Sequence, residues 1–403
     1  MRKKTRRVRV GRVEIGGDAP ISVQSMTKCD TRDVPEVLRQ IRALAEAGCD
    51  IVRVAVPNEE AAAALRDICR ESALPVVADI HFDYRLALKA LEAGVDKLRL
   101  NPGNIGARWK IETVVREAKA RGVPIRIGVN AGSLEKDILE KYGYPTPEGM
   151  VESALRHAAI LEDLDFRDIV ISVKASNVPT MIRAYRLLSE KVDYPLHLGV
   201  TEAGTTFSGT VKSAVGIGSL LADGIGDTIR VSLATDPVEE VRVGWEILRS
   251  LGLRTRGVNI VACPSCGRVQ IDLVKVAEEV EKRLGHIDVP LNVAVMGCVV
   301  NGPGEAREAD VALFGGKGVG MLVVDGEPVR RTTEEEMVDA LVQKVEEMAA
   351  ELRAAGDPEK VLRQRRARRH ERADGDAAAA APPVAGGSTA ADSRLPPAGP
   401  RGS

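Results

Sequence analysis

Residues 51–83, IVRVAVPNEEAAAALRDICRESALPVVADIHFD, contain the pattern from which the fold follows. Short aliphatic runs at 51–57 and 75–82 flank a segment, 59–70, whose apolar residues recur at helical spacing. Aliphatic runs without polar alternation are typical of parallel strands that are buried on both faces. The stretch is therefore predicted to form a strand, a helix and a second strand.

The same alternation continues through the first part of the chain. The strand candidates are 21–27, 51–57, 75–82, 97–103, 124–132, 169–176, 195–204 and 228–235. The helix candidates are 34–47, 59–70, 108–121, 150–164, 178–191, 209–222 and 237–251. Eight strand–helix units in about 250 residues are typical of a barrel of parallel strands. We predict an α/β protein with a TIM (β/α)8 barrel at 1–252, closed at its bottom by a hairpin at 8–17.

The pattern changes after residue 252. Strand-like segments NIVACPSC and LNVAVMGC flank a helix candidate at 271–284, and a pair of strand candidates at 311–324 precedes a charged helix at 334–353. This predicts a smaller α+β domain at 258–355. Residues 356–403 have few large apolar side chains to offset the entropy of ordering, so a disordered tail is expected.

Composition narrows the class of protein. Lys and Arg total 57 against 58 Asp and Glu, a net charge of -1, which gives no reason to expect a nucleic acid or an acidic membrane as partner. The basic start MRKKTRR lacks the apolar run of a signal peptide, and no stretch approaches the roughly 20 apolar residues of a membrane span. Six scattered cysteines do not suit a disulfide framework. We expect a cytoplasmic protein whose thiols are reduced or bound to metal.

Single cations interrupt five of the aliphatic runs. They are Arg53, Arg99, Arg126, Lys174 and Arg230. Period-two geometry places Arg99 with Asn101 and Arg126 with Asn130 on common faces, so several of these groups are expected to point into the barrel mouth. Buried cations that repel one another need a compensating anion, and a diphosphate matches Arg and Lys donors. The alternative is an internal salt-bridge network with Asp79 and Glu202, although two acids would leave cations over.

Three further polar side chains fall near the ends of strand candidates. His81 and His197 each fit a hydrogen-bonded core imidazole as well as a catalytic one. Glu202 could exchange a proton with a leaving oxygen in a dry, cation-lined mouth, or could pair structurally with Lys174. The cysteines of the barrel region are expected to be passive small hydrophobes. They are Cys29, Cys49 and Cys69.

The cysteines of the second domain point to metal. Cys263 and Cys266 form a Cys-x-x-Cys, and Cys298 lies in the glycine-rich turn MGCVVNGPGEA. A structural zinc ion needs four ligands, whereas three thiolates suit a [4Fe–4S] cluster whose fourth iron takes a weaker ligand. Glu305, in the same turn, could supply that oxygen. A zinc site, or a merely solvated Glu305, remains the alternative, and His286 is poorly spaced for zinc.

These motifs resemble a known family. ACPSCGR and MGCVVNGPGEA, together with SVQSMT, ADIHFD, LRLNPGN, IRIGVNAGSLE, SVKASN and HLGVTEAG, are similar to segments of the bacterial two-domain 4-hydroxy-3-methylbut-2-enyl diphosphate synthases over about residues 8–350. The resemblance implies a [4Fe–4S] cluster held by Cys263, Cys266, Cys298 and Glu305. It also implies that Arg53, Arg99, Arg126 and Lys174 hold the substrate diphosphate, supported by Asn101, Asn130 and Ser232.

The reaction that the resemblance implies is the reductive ring opening and dehydration of 2-C-methyl-D-erythritol 2,4-cyclodiphosphate, with flavodoxin or ferredoxin as electron donor. We expect Arg230 and His81 to add to the substrate site, Glu305 to leave its ligand position as substrate arrives, and Glu202 to protonate the departing hydroxyl. A barrel transferase similar to dihydropteroate synthase, with structural zinc, is the rival enzyme. An iron–sulfur sensor without turnover is a third hypothesis.

Topology adds an expectation about assembly. In a (β/α)8 barrel the active site lies at the carboxyl ends of the strands, and the last helix returns the chain to the opposite face. The linker 252–259 spans at most roughly 28 Å when extended, so the second domain would have difficulty reaching its own barrel mouth. A homodimer is therefore predicted, in which each cluster domain closes over the partner's barrel.

Overall fold

A computed structural model describes residues 2–298, 304, 307–316 and 318–380. The chain divides into two compact units, Met1–Arg256 and Gly257–Ser403. Within the described residues, no helix combines the length and the apolar character needed to cross a membrane.

The first unit is a barrel of parallel strands surrounded by helices. Its strands are β1 (Val8–Val10), β2 (Val13–Ile15), β3 (Ser22–Met26), β4 (Ile51–Ala55), β5 (Val76–Asp79), β6 (Lys97–Leu100), β7 (Ile125–Asn130), β8 (Ile169–Lys174), β9 (His197–Leu198) and β10 (Thr228–Ile229). Its helices are α1 (Val34–Glu46), α2 (Glu59–Glu71), α3 (Tyr84–Ala93), α4 (Pro102–Ile105), α5 (Arg108–Arg121), α6 (Lys136–Tyr142), α7 (Pro147–Glu162), α8 (Val178–Lys191), α9 (Thr206–Ala222) and α10 (Pro237–Ser250).

Strands β3 to β10 form the barrel sheet in the order β8-β7-β6-β5-β4-β3-β10-β9. A parallel bridge between Ile171 and Leu196 joins the two outer strands of that order and nearly closes the barrel. The predicted TIM barrel is therefore confirmed. Strands β9 and β10 have two residues each, much shorter than the predicted runs 195–204 and 228–235.

Side-chain caps at the first turns of several helices hold the loops at the carboxyl ends of the preceding strands. The side chain of Asn58 accepts a hydrogen bond from the Ala61 N–H at 2.9 Å and caps α2. Asp33 and Asp83 cap α1 and α3 in the same way. At the other end, Gly94 takes the left-handed φ of +91° that terminates α3. Strands β3, β4 and β5 are thus each followed by a capped helix, which helps to fix the loops at their carboxyl ends.

The barrel core is aliphatic. Val52 and Val54 of β4 and Leu65 and Ile68 of α2 are fully buried in one cluster. Burying a side chain of this size stabilises the fold by about 1.5–3 kcal/mol. This outer layer between strands and helices supplies the stability, which leaves the barrel interior available for polar groups.

The antiparallel hairpin β1–β2 covers the amino-terminal end of the barrel. Val10 and Ile15 pack against Ile51 and Val77, near the starts of β4 and β5. The predicted hairpin and its place at the barrel bottom are both found.

The chain also leaves the first unit at this amino-terminal end. Arg254 donates to the Ile21 carbonyl and to Asp50, both at 2.7 Å, and these two residues immediately precede β3 and β4. Arg256 donates to the Glu46 carbonyl at 2.9 Å, at the end of α1. The end of the first unit is therefore fastened to the face opposite the carboxyl ends of the strands.

The second unit is a smaller α+β domain, as predicted. Its strands are β11 (Asn259–Ala262), β12 (Asn292–Met296), β13 (Val311–Gly316), β14 (Val319–Val324) and β15 (Glu327–Thr333), and its helices are α11 (Leu273–Leu284), α12 (Met337–Ala354) and α13 (Pro358–Ala380). The sheet order is β11 to β15, with β11, β12 and β13 parallel and the remaining pairs antiparallel. The sequence prediction lacked β15, because EPVRRTT is polar and mostly exposed.

Helix α13 departs from the expectation that the chain is disordered from residue 356. Leu362 is only 1% exposed and belongs to the core of the second unit. Arg366 forms a salt bridge with the fully buried Asp310 at 2.5 Å. The compositional argument counted apolar side chains and missed an ion pair that also orders the helix. Residues 381–403 of the expected tail lie outside the described residues.

Candidate active site

The predicted cations meet inside the barrel. Arg53, Arg99, Arg126 and Lys174 lie in β4, β6, β7 and β8, and Arg230 follows β10. Arg99 and Arg126 are directly opposite one another in neighbouring strands. Their exposed fractions are 7% and 1%, and Lys174 is 7% exposed. Several positive charges are thus held close together away from water.

Two glycines make room for these side chains. A Cβ atom on Gly128 would lie 2.6 Å from Arg99 Nε, and one on Gly199 would lie 2.6 Å from Lys174 Nζ. Both distances are far below van der Waals contact. Gly128 and Gly199 therefore line the same interior as the cations, and their lack of a side chain is what lets Arg99 and Lys174 occupy it.

Asp79, the last residue of β5, neutralises part of this charge. Its carboxylate lies 3.0 Å from Arg99 Nη1 and 3.6 Å from Arg53 Nε. Burial by itself would raise the pKa of Asp79, but Arg53, His81 and Arg99 outweigh burial and lower the pKa below its usual value. Asp79 is therefore ionised and orients two of the arginines.

A second acid, Glu240 in the first turn of α10, was missed from the sequence. It is 1% exposed and accepts hydrogen bonds from Ser25 Oγ and the Leu233 N–H, each at 3.0 Å. Arg230 and Lys28 form salt bridges with it at 3.3 and 3.1 Å. Glu240, not Glu202, is thus the second acid of the buried network.

Arg126 and Lys174 have no salt bridge to a carboxylate within the described part of the chain. Burial, followed by repulsion from Arg53 and Arg99, lowers the pKa of Arg126 well below its usual value. Burial and then Arg126 and Arg230 lower the pKa of Lys174 in the same direction. A purely internal salt-bridge network, the alternative weighed from the sequence, leaves these two cations without a partner acid.

The predicted polar supports lie around the cations. Asn101 follows β6 and is 3% exposed, and Asn130 ends β7. The Ser232 hydroxyl accepts a hydrogen bond from Arg230 Nη1. His81 Nε2 lies 3.4 Å from Asp79, with about half of the imidazole exposed. These four side chains therefore border the carboxyl ends of the strands.

Glu202 stands apart from the cations. It is exposed and adopts a left-handed φ of +51°, which is uncommon for a residue with a side chain. No salt bridge joins it to Lys174 within the ranges that the structure describes, so the structural pairing considered from the sequence is not found. A strained backbone at the rim of a charged mouth is a feature that accompanies functional residues.

The predicted His197 and the three cysteines of the barrel all have shifted pKa values, for the same main reason. His197 is fully buried, and burial, followed by Arg126 and Lys174, lowers its pKa well below the usual value. The imidazole is thus neutral. Burial raises the pKa of Cys49 and of Cys69 to about 12 and also raises that of Cys29, so these thiols are protonated.

In the second unit, β11 and β12 bring the cysteine segments to one edge of the sheet. The Cys263 N–H donates to the Val295 carbonyl at 3.2 Å, and the Gln270 N–H donates to the Gly297 carbonyl at 3.0 Å. The loop after β11 therefore runs beside the residues that precede Cys298. A Cβ on Gly297 would lie 2.7 Å from Val269 Cγ2, so glycine permits this close approach.

The thiols themselves differ in exposure. Cys263 is half-buried, Cys266 is exposed and Cys298 is buried. Among the residues that the structure describes, no three His, Cys, Asp or Glu side chains are grouped closely enough to hold one metal ion. Glu305, the predicted fourth ligand, lies outside the described residues.

Comparisons with known proteins agree with both units. Residues 5–245 match the GcpE TIM-barrel domain, and residues 259–347 match the GcpE protein C-terminal domain. The 4-hydroxy-3-methylbut-2-en-1-yl diphosphate synthase (flavodoxin) of Symbiobacterium thermophilum is 78% identical over 88% of this chain and 96% of its own length. The protein of that name from Geobacter sulfurreducens is 66% identical over 87% of this chain and 99% of its own.

A solved dihydropteroate synthase from Yersinia pestis aligns with 61% of this chain and 97% of its own, at 11% identity and a TM-score of 0.45. That likeness is too weak to inform function. The two matched domains and the extent of the identity decide the family: the chain belongs to the GcpE family, that of the 4-hydroxy-3-methylbut-2-en-1-yl diphosphate synthases.

Proposed function

We propose that the chain catalyses the reductive ring opening and dehydration of 2-C-methyl-D-erythritol 2,4-cyclodiphosphate to 4-hydroxy-3-methylbut-2-enyl diphosphate, a step of the non-mevalonate isoprenoid pathway. The reaction consumes two electrons and two protons, breaks one ring carbon–oxygen bond and releases one water molecule. The relatives named for this product support the assignment. The observation that carries it is the pair of buried cations, Arg126 and Lys174, without a partner acid in the described chain.

The barrel cations bind the diphosphate in this proposal. Arg53 and Arg99 are held in position by Asp79, while Arg126 and Lys174 lack a partner acid in the described chain, and the phosphates can supply that negative charge. Arginine forks bind phosphate oxygens in bidentate geometry, and a buried site strengthens each contact. Asn101, Asn130, Ser232, Arg230 and His81 border the same site and complete the proposed set.

We further propose that Cys263, Cys266, Cys298 and Glu305 hold a [4Fe–4S] cluster. The adjacent loops after β11 and β12, with their close approach at Gly297, fit such a group because three thiols can converge from one sheet edge. When bound, the cluster supplies electrons and a Lewis-acidic iron for the substrate oxygen. Glu305 would yield its ligand position as the substrate enters.

Glu202 is the proposed proton donor to the departing hydroxyl. Its exposed position and left-handed backbone support a role at the rim of the barrel mouth. Replacement by Gln should keep the cluster and lower the rate, because the amide cannot release a proton. A fully active Glu202→Gln enzyme would exclude this role.

The proposed electron donor is flavodoxin, which the names of the relatives specify. Ferredoxin is the alternative donor, and turnover with each purified donor distinguishes them. A cytoplasmic location, with no nucleic acid or membrane as partner, accords with a small-molecule substrate and a near-neutral net charge of -1.

The proposed assembly is a head-to-tail homodimer. Arg254 and Arg256 fasten the end of the first unit to the amino-terminal face of the barrel, opposite the proposed substrate site. Only Gly257 and Val258 separate Arg256 from β11. We infer that the cluster domain of one subunit serves the barrel of its partner. Mixing Cys298→Ser with Arg126→Met protein should restore activity, and persistent inactivity despite demonstrated subunit exchange would contradict the arrangement.

One experiment tests the function and separates it from its rivals. Anaerobically purified chain should contain four iron and four sulfide per subunit, absorb visible light and convert the cyclic diphosphate with reduced flavodoxin. Cys298→Ser should lose both the cluster and turnover. A colourless protein with one zinc ion would favour the barrel transferase, and a loaded cluster without turnover would favour the sensor.

A further inference from the structure

A sixth cation lies deeper in the barrel than the ring described above. Lys97 is the first residue of β6, two positions before Arg99, and period-two geometry puts both on the same side of the strand. Its register partner in β5 is Val77, which packs against the hairpin that covers the barrel bottom. Lys97 therefore lies on the barrel floor, beneath the cations proposed to bind the diphosphate.

Lys97 has no counter-charge among the residues that the structure describes. The residue is 0% exposed, and Nζ has no hydrogen-bond partner and no salt bridge within the described residues. His197, whose pKa is lowered by burial and by nearby cations that include Lys97, likewise has no hydrogen-bond partner at either ring nitrogen within the described residues. The buried acids of the first unit, Asp79, Asp227 and Glu240, each form a salt bridge with another cation.

A buried, unpaired ammonium group destabilises a fold, because an apolar side chain of the same size would pack without losing hydration. We therefore look for a stabilising interaction of Lys97 in the protein with an anion bound. Burial, followed by repulsion from Arg126 and Arg53, lowers the pKa of Lys97 well below its usual value, and both arginines are members of the proposed substrate site. An anion bound by those two arginines would turn net repulsion around Lys97 into attraction.

We propose that Lys97 is a second tier of the anion site, which strengthens diphosphate binding through the field of its ammonium group without touching the ligand. The proposal rests on the proposed function, since it requires the diphosphate in the barrel mouth. Lys97 is an electrostatic residue and not a catalytic one. Over the distance of two strand positions, about 7 Å, a charge interacts strongly through a protein interior and weakly through water.

The test is calorimetric titration of the anaerobically purified full-length chain with inorganic pyrophosphate and, separately, with orthophosphate. Lys97→Met and Lys97→Gln should each bind pyrophosphate about tenfold more weakly and orthophosphate with a smaller loss, because a field effect scales with ligand charge. Both variants should melt no lower than the wild type in the absence of anion, because an unpaired buried charge has been removed.

Lys89→Met is the matched control. Lys89 lies on the outer surface of α3, with 43% of its side chain exposed, and pairs with Glu59. The same change of charge there should leave both affinities unchanged, because solvent and salt screen it.

Unchanged pyrophosphate affinity in the Lys97 variants would overturn the proposal. Equal losses for both anions, accompanied by a lower melting temperature, would also overturn it, because that pattern belongs to a packing role. If the wild-type chain bound neither anion, the proposed substrate site itself would be wrong. If the wild-type chain bound pyrophosphate and the Lys97 variants bound it equally well, only the role of Lys97 would be wrong.

Discussion

The two units of this chain differ in whether their buried charged side chains have ion-pair partners. In the barrel, Arg126 and Lys174 are held out of water without a carboxylate in the described residues. In the second unit, the fully buried Asp310 is matched by Arg366 at 2.5 Å and Arg369 at 3.6 Å, and its Oδ2 also accepts the Asn292 N–H at 2.8 Å. Matched charge of the second kind orders the chain, whereas unmatched charge of the first kind is available to a ligand.

The largest expected effect comes from removing the unmatched charge. Arg126→Met should weaken binding of the cyclic diphosphate by at least about a hundredfold, because it deletes a buried bidentate donor. The melting temperature without ligand should not fall, because a lone buried cation is replaced by an apolar chain. Calorimetric titration and a thermal melt of the same sample measure both quantities. A variant that lost stability together with affinity would contradict the idea that this unmatched cation serves ligand binding and not stability.

Removing matched charge should do the reverse. Arg366→Met leaves the buried Asp310 with Arg369 as its remaining ion-pair partner among the described residues, and breaking a buried pair costs about 3 kcal/mol of stability. Denaturant unfolding of the second unit should detect this loss, while pyrophosphate affinity stays unchanged. Arg363→Met is the control, because Arg363 has 76% of its side chain exposed and pairs with the exposed Glu359. An equal loss in the control variant would show that the buried pair has no special contribution.

The sequence was sufficient to predict the barrel fold and the interior position of its cations. A single Arg or Lys within an aliphatic run, as at Arg99 and Arg126, must either face the barrel interior or disturb the strand, so its position follows from the strand pattern. Glu240 could not be found in the same way, because Glu239 and Glu240 look like ordinary acids in the first turn of a helix. The signal was its spacing from Gly244 and Leu248, which places it on the buried side of α10.

The length of β9 and the order of α13 depend on contacts between distant residues. A Cβ on Gly199 would lie 2.7 Å from the Arg230 carbonyl, so the chain beyond Leu198 makes a close approach that an aliphatic run does not reveal. Helix α13 is held by Asp310, 56 positions before Arg366. Local composition carries no information about either contact. The role of Glu305 as a cluster ligand and the roles of the substrate-binding residues stay predictions.

A smaller effect is expected from Asp79, the acid that pairs with both Arg53 and Arg99. The pKa of Asp79 is lowered in the folded chain, so its ionised form contributes stability above the unfolded pKa of about 3.9. This contribution is lost as the pH falls below that value towards the folded pKa. Asp79→Asn should therefore be less stable than the wild type by about 2 kcal/mol at neutral pH, with the difference narrowing below about pH 4. A difference that is independent of pH in unfolding experiments would show that Asp79 acts through packing.

The smallest effect concerns the space reserved for Lys174. Gly199→Ala would place a Cβ 2.6 Å from Lys174 Nζ and 2.7 Å from the Arg230 carbonyl. The lysine can move but the carbonyl cannot move freely, so we expect about 1 kcal/mol of destabilisation and an affinity for the diphosphate reduced by about tenfold. Gly218→Ala, in the middle of α9 with open space around it, should instead gain about 0.5–1 kcal/mol and bind normally. Both variants add one methyl group, so an affinity loss confined to Gly199→Ala would locate the effect at Lys174. Normal binding by Gly199→Ala would show that the ammonium group of Lys174 need not occupy that space.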